Sequence, residues 1–347
     1  MRKKSLSAKK INHKNILFKL SNKKILKVYK KFEKKFATLK LSNKTIAAAI
    51  SGGPDSNALA FLIKCISLKK NFDVEFYHVN HGLRSTSSKE AKILQKKLKN
   101  FNIKIKILKW NGKKPHKNVQ SEARKIRYKL MFEEMKKQKI ENIFLAHTKN
   151  DLIENFFLRL TRGSGSEGLV SFANFSTVTE GFTVIRPLLN INKSELIYIS
   201  KKVFNFYIND VSNLNETFKR VRFRRIIQDV KNEGLNVKKL NQTIENLSTT
   251  NKAIKFYVNQ NILHNTNLKT NKKHVILSKL FFEKPYEIIF RSFSEILRII
   301  GDNYYPPRGK KLSHAINLIQ NKSFRKTTLG RCVIEKSQDS VLIYKEY

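Results

Sequence analysis

The amino-acid sequence predicts an α/β protein, in which a domain built on a parallel sheet is followed by a helical linker and a small α+β domain. Short uncharged apolar runs alternate with segments whose apolar residues recur at helical spacing. The clearest pair is the run 46–50 and the apolar helix 58–68, which are separated by a glycine-containing turn. A strand that is apolar on both faces is typical of a parallel sheet covered by helices on each side.

The elements that follow repeat this alternation. Strands are predicted at 74–79, 103–108 and 143–146, and helices at 87–98, 119–137 and 152–160. Strands that alternate with helices form right-handed crossovers, so ligands are expected beyond the carboxyl ends of the strands.

The second part of the chain is more polar. A bridging helix is predicted at 235–261, amphipathic helices at 285–300 and 312–319, and short strands within 327–343. The predicted regions are a basic N-terminal extension 1–43, the α/β domain 44–230, a helical linker 231–285 and a basic C-terminal domain 286–347.

The composition indicates a polyanionic partner. The 71 Lys and Arg outnumber 26 Asp and Glu, which gives a formal charge of +45. Nucleic acid is the first candidate, with binding that weakens as salt rises. The alternative is that a biased genome has raised the lysine content wherever the surface tolerates it.

The two cysteines, Cys65 and Cys332, are far apart and form neither a disulfide framework nor a CxxC site. A reducing compartment, the cytoplasm, is therefore expected. The sequence has no apolar stretch long enough to span a membrane. The first 32 residues contain no acid and no apolar signal core, which leaves a basic extension or an organellar transit peptide.

A glycine-rich loop, SGGPDS, joins the first strand to the first apolar helix. Backbone amides and hydroxyls at a helix N-terminus form an anion-binding concavity. An ordinary glycine turn is the alternative. The residues expected to bind phosphate are Ser51, Gly52, Gly53, Pro54, Asp55 and Ser56, of which Pro54 has no N–H to donate.

The second strand ends in HVNHGLR, residues 78–84. His78 and His81 could form a metal pair, but no further ligands follow at a suitable spacing. A turn at 80–82 with Arg84 directed at the site is the preferred interpretation.

Charged residues also begin two later helices. Glu122, Arg124 and Arg127 fall within two turns, as an active-site group or as a solvated salt-bridge face. Asp151 and Glu154 follow the fourth strand and share a helix face. They could hold Mg²⁺, receive a cationic amine or accept its proton, or they could simply complement the helix dipole.

The loop RGSGSEG, 162–168, matches G-x-G-x-x-G in spacing, but a helix and not a strand precedes it. A dinucleotide site is therefore rejected. A flexible lid or a phosphate contact that includes Arg162 suits the segment better.

SGGPDS resembles the pyrophosphate-binding loop of the PP-loop ATP pyrophosphatases, whose domain is adenine nucleotide alpha hydrolase-like. Seven motifs in order resemble the tRNA(Ile)-lysidine synthase family over about residues 44–230. They are SGGPDS, HVNHGLR, NVQSEARKIRY, AHTKNDLIEN, LRLTRGSG, RPLL, and DVSN followed by RVRFR. The family usually has two adjacent acids where this chain has Asn150 and Asp151.

The resemblance implies a ligase that modifies the first anticodon cytidine of the tRNA(Ile) with a CAU anticodon. ATP would adenylate the C2 oxygen and release pyrophosphate, and free L-lysine would then displace AMP. It also implies that the 286–347 domain binds tRNA and allows an oligomer.

The resemblance further implies roles for individual side chains. Asp55 would position Mg²⁺, Arg124 would contact the α-phosphate with Arg127, and Asp151 and Glu154 would receive the ammonium of lysine. Substrate or tRNA contacts are expected from His81, Arg84, Arg127, Arg162, Arg220, Arg222 and Arg224.

Two alternatives stay open from the sequence. A tRNA-thiolating PP-loop enzyme would use the same loop, but it would need paired or persulfide-forming cysteines. A non-enzymatic basic RNA-binding protein would need neither the loop nor the acid pair.

Overall fold

The computed structural model describes residues 16–39, 41, 45–82, 85–112, 119–208, 219–268, 274–303, 306–321 and 323–346. The chain divides into two compact units, Met1–Ile244 and Glu245–Tyr347.

The first unit alternates strands and helices as predicted. Its helices are α1 (Lys23–Ala37), α2 (Pro54–Lys70), α3 (Ser87–Lys99), α4 (Val119–Lys137), α5 (Lys149–Leu160), α6 (Ser166–Val170), α7 (Lys193–Phe204) and α8 (Lys219–Asn232). Its strands are β1 (Thr45–Ala49), β2 (Asp73–Asn80), β3 (Ile105–Lys109), β4 (Asn142–Phe144), β5 (Ser176–Thr179) and β6 (Phe182–Ile185).

The strands described in this unit form one six-stranded sheet in the order β3-β2-β1-β4-β6-β5. Strands β3, β2, β1, β4 and β6 are parallel, and β5 is antiparallel to β6 at one edge. The chain moves outward from β1 to β2 and β3, and then returns to place β4 on the other side of β1. This topological switch point lies between β1 and β4, where open α/β sheets bind their ligands.

Both faces of β1 are covered, as the uncharged run predicted. Ile46 and Ala48 belong to a large core that includes residues of α1, α2, α3 and α7. Ala47 faces a second core with Met131 and Met135 of α4. Because successive strand residues point to opposite faces, a five-residue strand serves both cores and tolerates no charge.

Helix α1 corrects the prediction that residues 1–43 form a basic extension. Asn22 caps it by accepting hydrogen bonds from the amides of Lys24 and Ile25 at 3.0 and 3.2 Å. Its buried residues Tyr29 and Phe32 belong to the main core of the unit. The described part of this region is thus an element of the α/β domain.

The second unit is a small α+β domain. It contains a four-stranded antiparallel sheet, counted among the described residues, in the order β7-β10-β9-β8. The strands are β7 (His274–Leu277), β8 (Lys326–Leu329), β9 (Cys332–Ser337) and β10 (Ser340–Lys345). Helices α10 (Tyr286–Ile300) and α11 (Gly309–Gln320) contribute to the core together with the sheet.

The boundaries of this unit differ from the predicted linker 231–285 and domain 286–347. Helix α9 (Val237–Asn265) contains the division between the units, which falls at Ile244 and Glu245. Strand β7 pairs with β10, so residues that were predicted as linker belong to the C-terminal sheet.

Among the described residues, every helix is too short or too polar to cross a lipid bilayer.

Candidate active site

The glycine-rich loop and the acid-bearing helix lie at the same end of neighbouring strands. Ala47 and Ala48 of β1 pair with Ile143 and Phe144 of β4. The loop follows β1, and α5 begins shortly after β4, so the sheet places both at the switch point. This juxtaposition was expected from the order of strands and helices.

Gly52 is required by the shape of the loop. Its φ is +92°, and a Cβ added to it would lie 2.5 Å from Cδ1 of Ile208. The amide of Ile208 also donates to the carbonyl oxygen of Gly52 at 2.9 Å. The first glycine is therefore fixed both by backbone conformation and by a close neighbour.

The side chain of Ser56 braces the loop from within. It accepts a hydrogen bond from the Gly52 amide at 3.0 Å and donates to the Gly53 carbonyl at 2.9 Å. The sequence had predicted that the Gly52 amide and the Ser56 hydroxyl would face an anion, but both are engaged inside the loop. The hydroxyl of Ser51, which is exposed, lies 3.2 Å from that of Ser56.

The N-terminus of α2 has no side-chain cap, and Pro54 occupies its first turn. Uncapped first-turn amides are the donors that bind phosphate at a helix N-terminus. The backbone N–H groups of Asp55 and Ser56 are therefore the anion donors that the loop offers.

Asp55 is half-buried, and one oxygen of its carboxylate, Oδ1, is fully buried. Within the described residues, its Oδ1 has no hydrogen-bond partner. The pKa of Asp55 is raised from 3.8 to about 6, chiefly by burial; the charge of Lys193 acts to lower it, that of Asp151 to raise it and that of Arg224 to lower it. A carboxylate in this position needs a cation or a proton to be stable.

Asp151 closes the first turn of α5. Its Oδ2 accepts hydrogen bonds from the amide and the hydroxyl of Thr148 at 2.8 and 2.9 Å, in a capping box. The helix-terminus alternative considered for Asp151 is therefore realised. Its charge nevertheless also acts on Asp55 and Arg224.

Glu154 is buried, with 7% of the residue exposed. Its Oε1 accepts a hydrogen bond from Nε of Arg224 at 2.7 Å. Burial acts to lower the pKa of Arg224, but the hydrogen bond to Glu154 and the charges of Glu154, Asp151 and Asp55 raise it overall. The sequence had assigned Arg224 to substrate or tRNA contacts, and in this structure its side chain forms an ion pair with Glu154.

Other arginines surround the acids. Arg124 donates to the hydroxyl of Tyr128 at 3.2 Å and lies 5.3 Å from the centre of its ring. Arg220 is close enough to Arg124, Glu154 and Asp151 for their charges to act on it. The predicted residues that the structure brings together are Asp55, Asp151, Glu154, Arg124, Arg220 and Arg224.

His147 was not among the predicted site residues. It follows β4, and its ring packs edge-on against Phe172 at 4.7 Å. Its Nδ1 is buried without a hydrogen-bond partner in the described residues. Burial, followed by the nearby positive charges, lowers its pKa well below 6.5, so the ring is neutral. Its position just after a strand end, four residues before Asp151, was the signal available in the sequence.

Arg186, in the RPLL motif, is also buried. It donates to the hydroxyl of Thr177 at 3.1 Å and to the carbonyl of Asn174 at 3.3 Å. Its guanidinium lies 5.3 Å from the ring centre of Phe172. The residue fixes the segment between α6 and β6 beside His147.

The predicted turn after β2 is present. The amide of Gly82 donates to Oδ1 of Asn80 at 3.0 Å. Nδ1–H of His78 donates to the carbonyl oxygen of Ile50 at 2.8 Å, which ties β2 to the start of the loop. Both ring nitrogens of His81 are buried without a partner in the described residues, and burial, with Arg127 and His78, lowers its pKa to about 4.

No group of three or more His, Cys, Asp and Glu placed to hold a metal occurs among the described residues. Mg²⁺ commonly binds through one or two carboxylates plus substrate phosphates. The unpartnered oxygen of Asp55 fits that lesser requirement.

The remaining predicted contacts lie nearer the surface. Arg127 on α4, Arg162 after α5 and Arg222 on α8 are exposed. Arg127 is near enough to His78 and His81 for its charge to lower the pKa of both. Arg84 lies outside the described residues. A helix precedes Gly163, which agrees with the rejection of a dinucleotide site.

Comparison with known proteins agrees with this geometry. The family model described as a PP-loop domain matches residues 21–230. The tRNA(Ile)-lysidine synthase of Wolbachia sp. subsp. Brugia malayi is 32% identical over 313 residues, covering 88% of this chain and 71% of that protein. This chain belongs to the tRNA(Ile)-lysidine synthase family.

Other tRNA(Ile)-lysidine synthases match to a similar extent. That of Orientia tsutsugamushi is 31% identical over 317 residues, covering 88% of this chain and 70% of its own. That of Rickettsia bellii is 31% identical over 341 residues, covering 92% and 74%. The lysidine synthase likeness thus extends beyond residue 230, where the motifs of the sequence end.

Among solved structures, the U34-tRNA thiolase NcsA from Methanococcus maripaludis matches with a TM-score of 0.53. It is 18% identical and covers 65% of this chain and 78% of its own. At this identity the match confirms the α/β fold alone.

Proposed function

We propose that this chain ligates free L-lysine to C2 of the first anticodon cytidine in the isoleucine tRNA with a CAU anticodon. The reaction consumes ATP, forms a carbon–nitrogen bond, and releases pyrophosphate and AMP. The observation that carries the proposal is the cluster of Asp55, Asp151 and Glu154 beside an uncapped helix N-terminus. An anion site and an amine site are therefore adjacent.

The first half-reaction takes place at the loop. The amides of Asp55 and Ser56 at the N-terminus of α2 hold the pyrophosphate part of ATP. Arg124 and Arg220 supply positive charge for the phosphate that becomes attached to the cytidine oxygen. The oxygen attacks the α-phosphorus, and the bond to pyrophosphate breaks.

Asp55 is the residue that would hold Mg²⁺, because its buried Oδ1 has no partner in the described residues. When bound, the ion neutralises charge on the phosphate oxygens of ATP. The carboxyl of Asp55, whose pKa is raised to about 6 chiefly by burial, would be held in its charged form by a cation beside it.

The second half-reaction takes place at the acids. Glu154 and Asp151 orient the amine of lysine toward C2. The ammonium gives a proton to one of these carboxylates, its nitrogen bonds to C2, and the C2–O bond breaks as AMP leaves with the electron pair.

The tRNA is held mainly by charge. A chain with a formal charge of +45 presents many lysines to phosphate. The second unit carries 18 Lys and Arg against 8 Asp and Glu, consistent with the tRNA-binding role expected for this part of the chain. The cytoplasm, where tRNA, ATP and free lysine are available, is the compartment proposed.

Cysteine chemistry disfavours the thiolating alternative. Cys65 and Cys332 are both fully buried, and they belong to the cores of different units. Burial raises the pKa of Cys65 to about 12, which makes it a poor nucleophile.

The test combines the full chain with ATP, labelled lysine and a tRNA(Ile) transcript that carries the CAU anticodon. We expect lysine to be incorporated with equal amounts of AMP and pyrophosphate. A matched transcript with guanosine at the first anticodon position is the control and should incorporate none. Pyrophosphate release without lysine incorporation, or incorporation that ignores the anticodon, would contradict the proposal.

A further inference from the structure

Arg224 reaches from α8 into the acid cluster of the active site. Its Nε lies 2.7 Å from Oε1 of Glu154, and the charges of Asp151 and Asp55 also act on it. Helix α8 packs against α5, which carries both Asp151 and Glu154. A cation of the protein thus lies among the carboxylates to which the proposed function assigns the ammonium of lysine.

Electrostatics makes this position significant. A carboxylate as buried as Glu154, at 7% exposure, is stable only with a hydrogen-bonded cation beside it. Guanidinium and ammonium carry the same charge, and both donate short hydrogen bonds to carboxylates. Oε1 of Glu154 already accepts a hydrogen bond from Nε of Arg224, so an ammonium that approaches this carboxylate meets a second cation beside it and is repelled by that charge.

We propose that Arg224 is the resting counter-ion of the amine subsite, and that the substrate ammonium displaces it from Glu154. This inference rests on the proposed function. Amine binding is then an exchange of one cation for another, and Glu154 has a cation partner throughout. Arg224 becomes a specificity-determining residue, because an amine must satisfy Glu154 and Asp151 better than the guanidinium does.

The displaced guanidinium stays on the same helix face as Arg220, four residues earlier, whose pKa the charge of Arg224 already lowers. The two cations repel each other there unless an anion lies beside them. The added phosphate of the adenylated cytidine would stabilise two guanidinium groups together. Release of Arg224 is therefore easiest when the nucleotide intermediate is present.

The exchange is tested directly on the wild-type protein by modification of arginine with phenylglyoxal, followed by peptide mass spectrometry. Lysine should increase the modification rate of Arg224, because displacement breaks its ion pair. An unchanged or reduced rate at saturating lysine would overturn the inference. Arg225, an exposed neighbour on α8, is the internal reference and should not respond.

Kinetics of Arg224→Ala gives a second test, with Arg225→Ala as the matched loss of charge. With the competing cation removed, the KM for lysine should fall about tenfold, while the KM for tRNA stays the same. Added methylguanidinium should compete with lysine in Arg224→Ala but not in wild type. Arg224→Lys should behave closer to wild type.

Two other outcomes would assign Arg224 differently. A raised KM for tRNA with a smaller salt dependence would make it a phosphate contact of the tRNA. A reduced kcat with an unchanged KM for lysine would make it a contact of the reacting phosphate. Either overturns the exchange, whereas failure of the wild-type chain to incorporate lysine overturns the proposed function itself.

Discussion

At the scale of single residues, Gly52 and Gly53 are neighbours with different structural requirements. Gly52 combines a φ of +92° with the close approach of Ile208, whereas a Cβ on Gly53 would meet only Oγ of Ser51 at 3.6 Å. Gly52→Ala should therefore cost about 2 kcal/mol or more in unfolding free energy and weaken ATP binding strongly. Urea unfolding and ATP titration measure the two effects.

Gly53→Ala is the matched control for that substitution. Gly53 is the N-cap of α2 with a φ of −68°, which alanine adopts readily. We expect it to lose less than about 1 kcal/mol. Equal losses in the two variants would show that Ile208 and the positive φ do not constrain the loop.

Asp55 should make the ligand-free protein less stable as the pH rises. Its folded pKa, about 6, lies above its ordinary value of 3.8, so the folded state binds the proton more tightly than the unfolded state does. Its contribution is most favourable below the ordinary value and is lost as pH rises through about 6. Asp55→Asn should thus raise stability by up to about 3 kcal/mol above this range.

Calorimetry of both proteins between about pH 5 and pH 8, without ATP or Mg²⁺, measures this difference. The gain should shrink as the pH falls, while ATP-dependent activity is lost at every pH. Asp229→Asn, at an exposed position, is the control. A gain that does not depend on pH would exclude titration of Asp55 as its cause.

Sequence patterns predicted that the loop, Asp55 and the two acids of α5 follow strand ends, and the structure places these segments after the neighbouring strands β1 and β4. Sequence patterns could not show which polar groups already have hydrogen-bond or ion-pair partners within the protein. The internal bonds of Ser56, the capping role of Asp151 and the Arg224–Glu154 pair depend on side-chain directions that spacing does not encode. His147 was overlooked because its environment is assembled from distant segments.

At the scale of elements, α1 should be needed for the stability of the first unit. Phe32 is fully buried in the main core, and Phe18, just before this helix, is 75% exposed. Phe32→Ala should cost about 3–5 kcal/mol of unfolding free energy, and Phe18→Ala less than about 0.5. Chemical denaturation of the full chain measures both, and a small effect at Phe32 would restore the view of residues 1–43 as an extension.

Most strands and helices of the sheet were predictable because their apolar residues recur with a clear period. Helix α1 was missed because seven lysines obscure its apolar residues, although Ile25, Val28, Tyr29, Phe32 and Phe36 have helical spacing. Strands β5, β6 and β7 have four residues each, too few to establish a period. These three strands form because they pair with other strands, and the local sequence does not indicate that pairing.

At the scale of the whole molecule, tRNA affinity should depend steeply on salt. A formal charge of +45 implies several phosphate contacts, each of which releases counterions. If six or more contacts form, the Kd should rise about a thousandfold between about 50 and 200 mM salt. Filter binding measures it, and lysine binding is the internal comparison, since it should change far less.

A nearly constant Kd for tRNA over the same salt range would show that the lysines reflect composition and not tRNA contacts.

The charge of the chain could be read from the sequence, but its division into two units could not. The boundary lies inside one uninterrupted helix, α9, where no glycine, proline or change in polarity marks it.

The two cysteines can report separately on the unfolding of the two units. Cys65 lies in the core of the first unit and Cys332 in that of the second, and both are fully buried. A thiol reagent can reach either sulfur only after the surrounding core has opened. The labelling rate of each cysteine therefore measures how often its own unit opens, without any substitution in the sequence. The effect of ATP, lysine or tRNA on each unit can be measured in the same way.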